Sequence, residues 1–143
     1  MEYVRPGHAG LEAPELCLGC TSDGASGPGS RGRTPPAEES RPFIRQAPGQ
    51  GINFLDTAGR VPKDFARREE VMISTKVRGR MRPGPDGAGL SRQTILAEFD
   101  AGLKHPGMDH FDLCNIHRCD YGVPIGAALV TLDWTCSGLI PHL

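Results

Sequence analysis

Three short apolar runs each end near an ionisable residue of a different kind. Asp56 closes "INFLD", Lys76 closes "VMISTK" and His117 closes "HFDLCNIH". An acid, an amine and an imidazole are the components of proton-handling chemistry. Along a strand, residues two apart share a face. Ile52, Phe54 and Asp56 therefore point one way, as do Met72, Ser74 and Lys76, and as do Phe111, Leu113, Asn115 and His117. If the three runs are neighbouring parallel strands, Asp56, Lys76 and His117 meet at one rim, at the strands' C-terminal ends. A carboxylate beside a lysine keeps the ammonium charged, and the pair can tune a neighbouring acid. Taken singly, each residue has a plainer reading: the aspartate as a turn or cap residue, the lysine as a solvated charge, the histidine as a structural group. The shared register is what marks them together as a site.

The elements needed to hold that register are legible. "ELCLGC", residues 15–20, reads as a first buried strand, preceded by a hairpin-like lead-in, "YVRPGHAGLEAP". Residues 21–40 are rich in Gly, Pro and Ser and read as a flexible loop. They hold no G-x-x-x-x-G-K-[ST] phosphate loop. "RPFIRQAPGQG" starts as a helix, with Ser40 as its cap, and stops at Pro48 and Gly49. "KDFARREE" allows two helical turns. The strongest helix follows Ser91, a good cap, and carries an apolar stripe of Ile95, Phe99 and Leu103 before Pro106-Gly107. "PIGAALVTLDW" reads as a last helix. Strand and helix alternate through four units, which implies parallel strands covered by helices.

Composition sets the outer limits. A chain of 143 residues allows one domain with a modest core. The net charge of −1 gives no strong pull toward nucleic acid or an anionic membrane. With 19 Gly and 13 Pro, loop content is expected to be high. The chain opens without an apolar signal segment, so a cytoplasmic location with reduced thiols is expected. "VPIGAALVTLDWTCSGLI" is the nearest approach to a membrane span, but Pro, Gly, Thr, Ser and Asp133 interrupt it, and no membrane association is expected.

"GINFLDTA", "STKVRGRM" and "DLCNIHR", in that order, resemble the aldo-keto reductase family. "EYVRPGHAGLEAPELCLGC" is similar to that family's N-terminal hairpin and first strand. The resemblance implies a (β/α)8 TIM barrel and NADP-dependent reduction of a carbonyl by hydride transfer, with a small carbonyl compound as substrate. It implies catalytic roles for Asp56, Lys76 and His117, which match the family's Asp, Lys and His. It leaves Gly19, Cys20 and Asp56 as the remnant of the cofactor site.

The family's fourth catalytic residue is a tyrosine, in a D-x-A-x-x-Y pattern. Here the pattern runs Asp56-Thr57-Ala58-Gly59-Arg60-Val61, so valine stands in its place. Valine cannot donate the proton that a newly formed alkoxide requires. Only Gly59 to Glu70 join the second and third strands, close to the minimum of about ten to twelve residues for a crossover. An internal deletion between Ala58 and Gly59 explains both features. A closed barrel takes roughly 250 residues and rarely fewer than 200. The expected fold is therefore α/β, a partial TIM barrel of about four βα units with a hairpin-like lead-in. All of residues 1–143 form one incomplete domain. NADP(H) binding is expected to be weak or lost and catalysis impaired. Self-association through exposed barrel edges is expected too, and a non-catalytic fragment that only associates with itself or with intact relatives is the alternative.

Two other chemistries are weighed and set aside. Cys17-x-x-Cys20 with Cys114, His117 and Cys119 could be imagined as a zinc site. Opposite strand parity sends Cys17 and Cys20 to opposite faces, so no metal is expected. The basic run Lys76 to Arg82 lacks the interleaved aromatics of a nucleic-acid surface, and a solvated loop at the mouth of the site is the better reading.

Overall fold

The structure is a computed structural model; it describes residues 1–5, 10–20, 37–57, 67–80, 82–84, 87–104 and 108–136. Two sheets carry the architecture. The lead-in is an antiparallel pair, β1 (Tyr3–Val4) and β2 (Ala13–Pro14), in which Tyr3 faces Pro14 and Val4 faces Ala13. The main sheet has four strands: β3 (Leu18–Gly19), β4 (Phe54–Asp56), β5 (Met72–Val77) and β6 (Leu113–Ile116). They lie side by side in chain order and every pair is parallel. The first four strands of a (β/α)8 barrel have this order, so the fold is a partial barrel, as the alternation of strand and helix predicts.

Strand parity sorts the core. Register pairs Leu18 with Leu55 and Leu55 with Ile73, so these three point to the same side. There they meet Ile44 from helix α1 (Ala37–Gln46), together with Cys20, Val71, Met108 and Phe111. A second cluster joins Val77, Leu90, Ile95 and Ala128, with Phe99, Cys114, Ile116, Val123 and Leu132 packed against it. It binds helices α2 (Arg92–Lys104) and α3 (Ile125–Cys136) to the same side of the sheet. Phe99 and Phe111 meet edge to face with centroids 5.7 Å apart, a geometry favoured by the ring quadrupoles.

Helix α2 begins where its sequence says. The Ser91 Oγ accepts the Thr94 N–H at 3.2 Å, and Ile95 is fully buried. Helix α1 departs from expectation. It starts at Ala37, so Ser40 is not its cap but lies buried within its second turn. Glu38 and Glu39 occupy the first turn, where carboxylates complement the helix dipole. Pro42 lies inside the helix and forfeits one intrahelical hydrogen bond. The predicted stop holds: a 3-10 turn, Pro48–Gln50, follows and ends on Gly51 at φ 80°, a conformation that glycine adopts freely.

The first and fourth strands are shorter than their apolar runs predict. Only two rungs join β3 to the short β4. At the start of β6 the Asp112 side chain takes over from the ladder, its Oδ2 accepting the Ile73 N–H at 2.8 Å and Arg68 Nη2 at 2.6 Å. Of "KDFARREE", the described end is a 3-10 turn, Arg68–Glu70, and Lys63 to Ala66 lie outside the described residues. So do residues 21–36 of the Gly/Pro/Ser-rich segment, whereas 37–40 open α1.

Candidate active site

The sheet face opposite the helices carries the polar groups. Asp56 pairs with Ser74, and Lys76 pairs with Asn115 one rung further on. Because paired residues in register point to the same side, these four side chains share one face, and they are wired together. Lys76 Nζ donates to Asp56 Oδ2 at 2.5 Å. Ser74 Oγ donates to Asp56 Oδ1 at 2.7 Å, and Asn115 Nδ2 donates to Ser74 Oγ at 3.3 Å. Thr57 secures the same corner, its backbone N–H and its Oγ1 both donating to the Ser74 carbonyl.

Burial and pairing act on Asp56 in opposite directions. Desolvation would raise its carboxyl, but the hydrogen bonds from Lys76 and Ser74, with the charges of Lys76 and His117, outweigh it and hold the group below the ordinary carboxylate range. The pair is thus an ionised aspartate clamping an ammonium whose side chain is only 17% exposed. His117 stands just past the end of β6. Its backbone N–H donates to the Val77 carbonyl at 3.1 Å, extending the ladder by one rung. Its ring is exposed and makes no side-chain hydrogen bond among the described residues, yet its charge reaches Asp56.

Gly19 pairs with Asp56, and nothing lies within 4 Å of where a Cβ would stand. Cys20 turns the other way. Its side chain is buried in the cluster with Ile44 and Leu55, and its backbone N–H donates to the Asp56 carbonyl at 2.8 Å. Of the three residues assigned to a cofactor, Gly19 and Asp56 share a face, and the Cys20 thiol does not join them. Cys17 does lie on the Asp56 side. Burial and then the Asp56 charge push its thiol up, so it stays protonated. Cys17 and Cys20 are on opposite faces, as their parity requires.

The sequence reading put Ser74 and Asn115 on this face without giving them a part in the site, and it did not place Cys17 there. The signal was present: the same alternation that selects Lys76 selects Ser74 two residues earlier.

A profile described as "Aldo/keto reductase family" matches residues 16–142. The chain belongs to the aldo/keto reductase family. The L-glyceraldehyde 3-phosphate reductase of Escherichia coli (strain K12) is 33% identical over 141 residues, covering 87% of this chain and 39% of the relative. A probable voltage-gated potassium channel subunit beta of Arabidopsis thaliana is 29% identical, covering 94% of this chain and 42% of the relative. The aldo-keto reductase YhdN of Bacillus subtilis (strain 168) is 28% identical, covering 87% and 40%. The chain spans about two-fifths of the length of the curated relatives it matches.

A tyrosine in the D-x-A-x-x-Y pattern would fall at Val61, and the chain's two tyrosines stand elsewhere in the sequence. Val61 lies outside the described residues, Tyr3 sits in the lead-in pair, and Tyr121 is fully exposed in the turn after β6. Gly19 is exposed beside its register partner Asp56, with open space where a Cβ would stand. No helix among the described residues is long and apolar enough to cross a membrane.

Proposed function

We propose that this aldo/keto reductase chain is built for NADP-dependent carbonyl reduction and is strongly impaired in it, as a single incomplete domain. The Asp56–Lys76 pair beside Ser74, at the C-terminal ends of neighbouring parallel strands, supports the first half of the reading. The valine in D-T-A-G-R-V supports the second.

Hydride arrival at a carbonyl carbon puts the electron pair of the C=O π bond on oxygen, and that oxygen must take a proton. NADPH, when bound, supplies the hydride. Asp56 holds the Lys76 side chain in place at the rim. Lys76, as a fixed cation at the rim, would lower the pKa of a phenol placed beside it. His117, exposed at the end of its strand, would orient the carbonyl oxygen. Val61 offers no proton, so the rim has its tuning group without the donor to be tuned. Binding of NADP(H) would be weak, since Gly19 and Asp56 alone present little surface to it. The substrate class is a small carbonyl compound, and the expected location is the cytoplasm. The aldehyde named in the Escherichia coli relative, L-glyceraldehyde 3-phosphate, is a suitable first substrate.

The test is NADPH consumption by the purified chain with that aldehyde and with a reactive aromatic aldehyde. Turnover near background is expected. A second form, with a tyrosine-bearing helical segment inserted between Ala58 and Gly59, should gain reductase activity. A normal turnover rate in the unaltered chain would refute the impairment. A dead insertion form would count against the assigned roles of Lys76 and His117.

A further inference from the structure

The polar network spans β4, β5 and β6 and has a direction. Ser74 on β5 is fully buried, and its register partners are Asp56 on β4 and Leu113 on β6. Its hydroxyl has one proton to give. That proton goes to Asp56 Oδ1, at 2.7 Å. Asn115, two residues along β6 from Leu113, donates its Nδ2 to the same hydroxyl oxygen at 3.3 Å. The other carboxylate oxygen, Oδ2, takes Lys76 Nζ at 2.5 Å. Each oxygen of Asp56 therefore has a donor of its own. The terminal torsion of an aspartate is broad and roughly two-fold, so one donor leaves the carboxylate plane loosely set, and two donors on different oxygens fix it. The main chain under Ser74 is held as well. The Thr57 N–H and Oγ1 donate to the Ser74 carbonyl at 3.0 and 2.8 Å. Other hydroxyls show what simple satisfaction looks like: those of Thr131 and Thr135 donate to main-chain carbonyls of their own helix. Ser74 spends its proton on a neighbouring strand's carboxylate instead.

We propose that Ser74 is a positioning residue for the Asp56–Lys76 pair, and that Asn115 acts through it. By occupying Oδ1, Ser74 turns Oδ2 toward the Lys76 ammonium. A hydroxyl has one donor and two acceptor sites, and the Asn115 N–H fills one of the latter. The hydroxyl proton is thereby left to point at Asp56. The donations run one way, from Asn115 to Ser74 to the anion, and hydrogen bonds in such a chain strengthen one another. The inference rests on the reading of Asp56 and Lys76 as members of the carbonyl-reducing site, and it adds what sets their geometry.

The readout is the titration of Asp56 itself, followed by carbon-13 NMR of its carboxyl in the purified 143-residue chain. It needs neither cofactor nor turnover, so a null result in NADPH consumption leaves it standing and the two readings can fail separately. Lys76 on β5, His117 after β6 and Cys17 before β3 are the titratable groups that act on or feel Asp56, and every variant compared keeps all three. Ser74→Ala removes one hydrogen bond to an ionised group and should raise the proton affinity of Asp56 about tenfold. Asn115→Leu should raise it by less, and should add nothing in a chain that already carries Ser74→Ala. The Asp56–Lys76 coupling, read by double-mutant cycle, should also be smaller in the Ser74→Ala background. A serine that only supports the fold would lower the urea midpoint and leave the Asp56 titration where it is. Should Ser74→Ala fail to fold, Ser74→Cys keeps nearly the same shape with a weaker donor and should shift Asp56 in the same direction. An Asp56 titration unmoved in whichever of these two chains folds overturns the inference, as does an undiminished coupling to Lys76. An Asn115→Leu effect of equal size with and without the Ser74 hydroxyl overturns the path through Ser74.

Discussion

Removing the charge of Asp56 should destabilise the fold by an amount that the pair's burial sets. Lys76 Nζ and Asp56 Oδ2 are 2.5 Å apart, with side chains 17% and 28% exposed. Exposed ion pairs contribute about 0.2–1 kcal/mol. Leaving one member of a fully buried pair alone costs about 3–5 kcal/mol. A pair this far from both limits should cost about 2–3 kcal/mol when Asp56→Asn strips it of its anion. Asparagine keeps an oxygen to accept the Ser74 hydroxyl, so the change isolates the charge. In a double-mutant cycle with Lys76→Met, read by urea unfolding and circular dichroism, the coupling should be about 1–2 kcal/mol. The penalty should also depend on pH with a definite sign. The folded carboxyl sits below its unfolded value, so its contribution is present above the ordinary carboxylate pKa of about 3.9 and is lost as pH falls through the depressed folded value. The parent and Asp56→Asn should therefore converge in acid. A coupling within about 0.3 kcal/mol of zero, or a penalty that keeps its full size in acid, would refute the reasoning.

Arg78 has φ 96°, a left-handed conformation that costs a side-chain-bearing residue about 1–3 kcal/mol, and its buried Nε has no partner among the described residues. Arg78→Gly should raise stability by about 1 kcal/mol in denaturant titration, despite deleting a long side chain. Glu98 anchors that residue by accepting the Arg78 N–H at 2.9 Å. Burial pushes its carboxyl up, against the hydrogen bond from Arg78 and the charge of Arg82. With the folded value above the unfolded one, the native state binds more proton between them, so stability should fall as pH rises from the ordinary glutamate value of about 4.3 through the raised one. Glu98→Gln should abolish that slope, which unfolding curves taken across the window would reveal.

Much of this protein was legible without coordinates because strand parity and helical spacing are local properties. The runs ending at Asp56, Lys76 and His117 forecast three neighbouring parallel strands, and on that premise alternation put Asp56 and Lys76 on a common side, which the observed register bears out. Ser91 and the Ile95 stripe forecast α2 for the same reason: a cap and a face are written in consecutive residues. The start of α1 was misread because Ser40 has the chemistry of a cap, whereas the helix begins at Ala37 and holds Ser40 buried inside it. Cys20 was assigned to the cofactor side by its place after the first strand, yet its thiol packs under Ile44, since parity turns it toward the helices.

What the chain order by itself determined was which residues could share a face, as alternation along a strand is fixed by covalent geometry. What only the tertiary structure decided was register and depth. Ser74, rather than any nearer residue, bridges Asn115 to Asp56, because strand pairing brings residues 41 positions apart within hydrogen-bond reach. The exposure of Leu129 and Val130 beside the burial of Ala128 was settled in the same way, by which neighbour each side of α3 happened to meet.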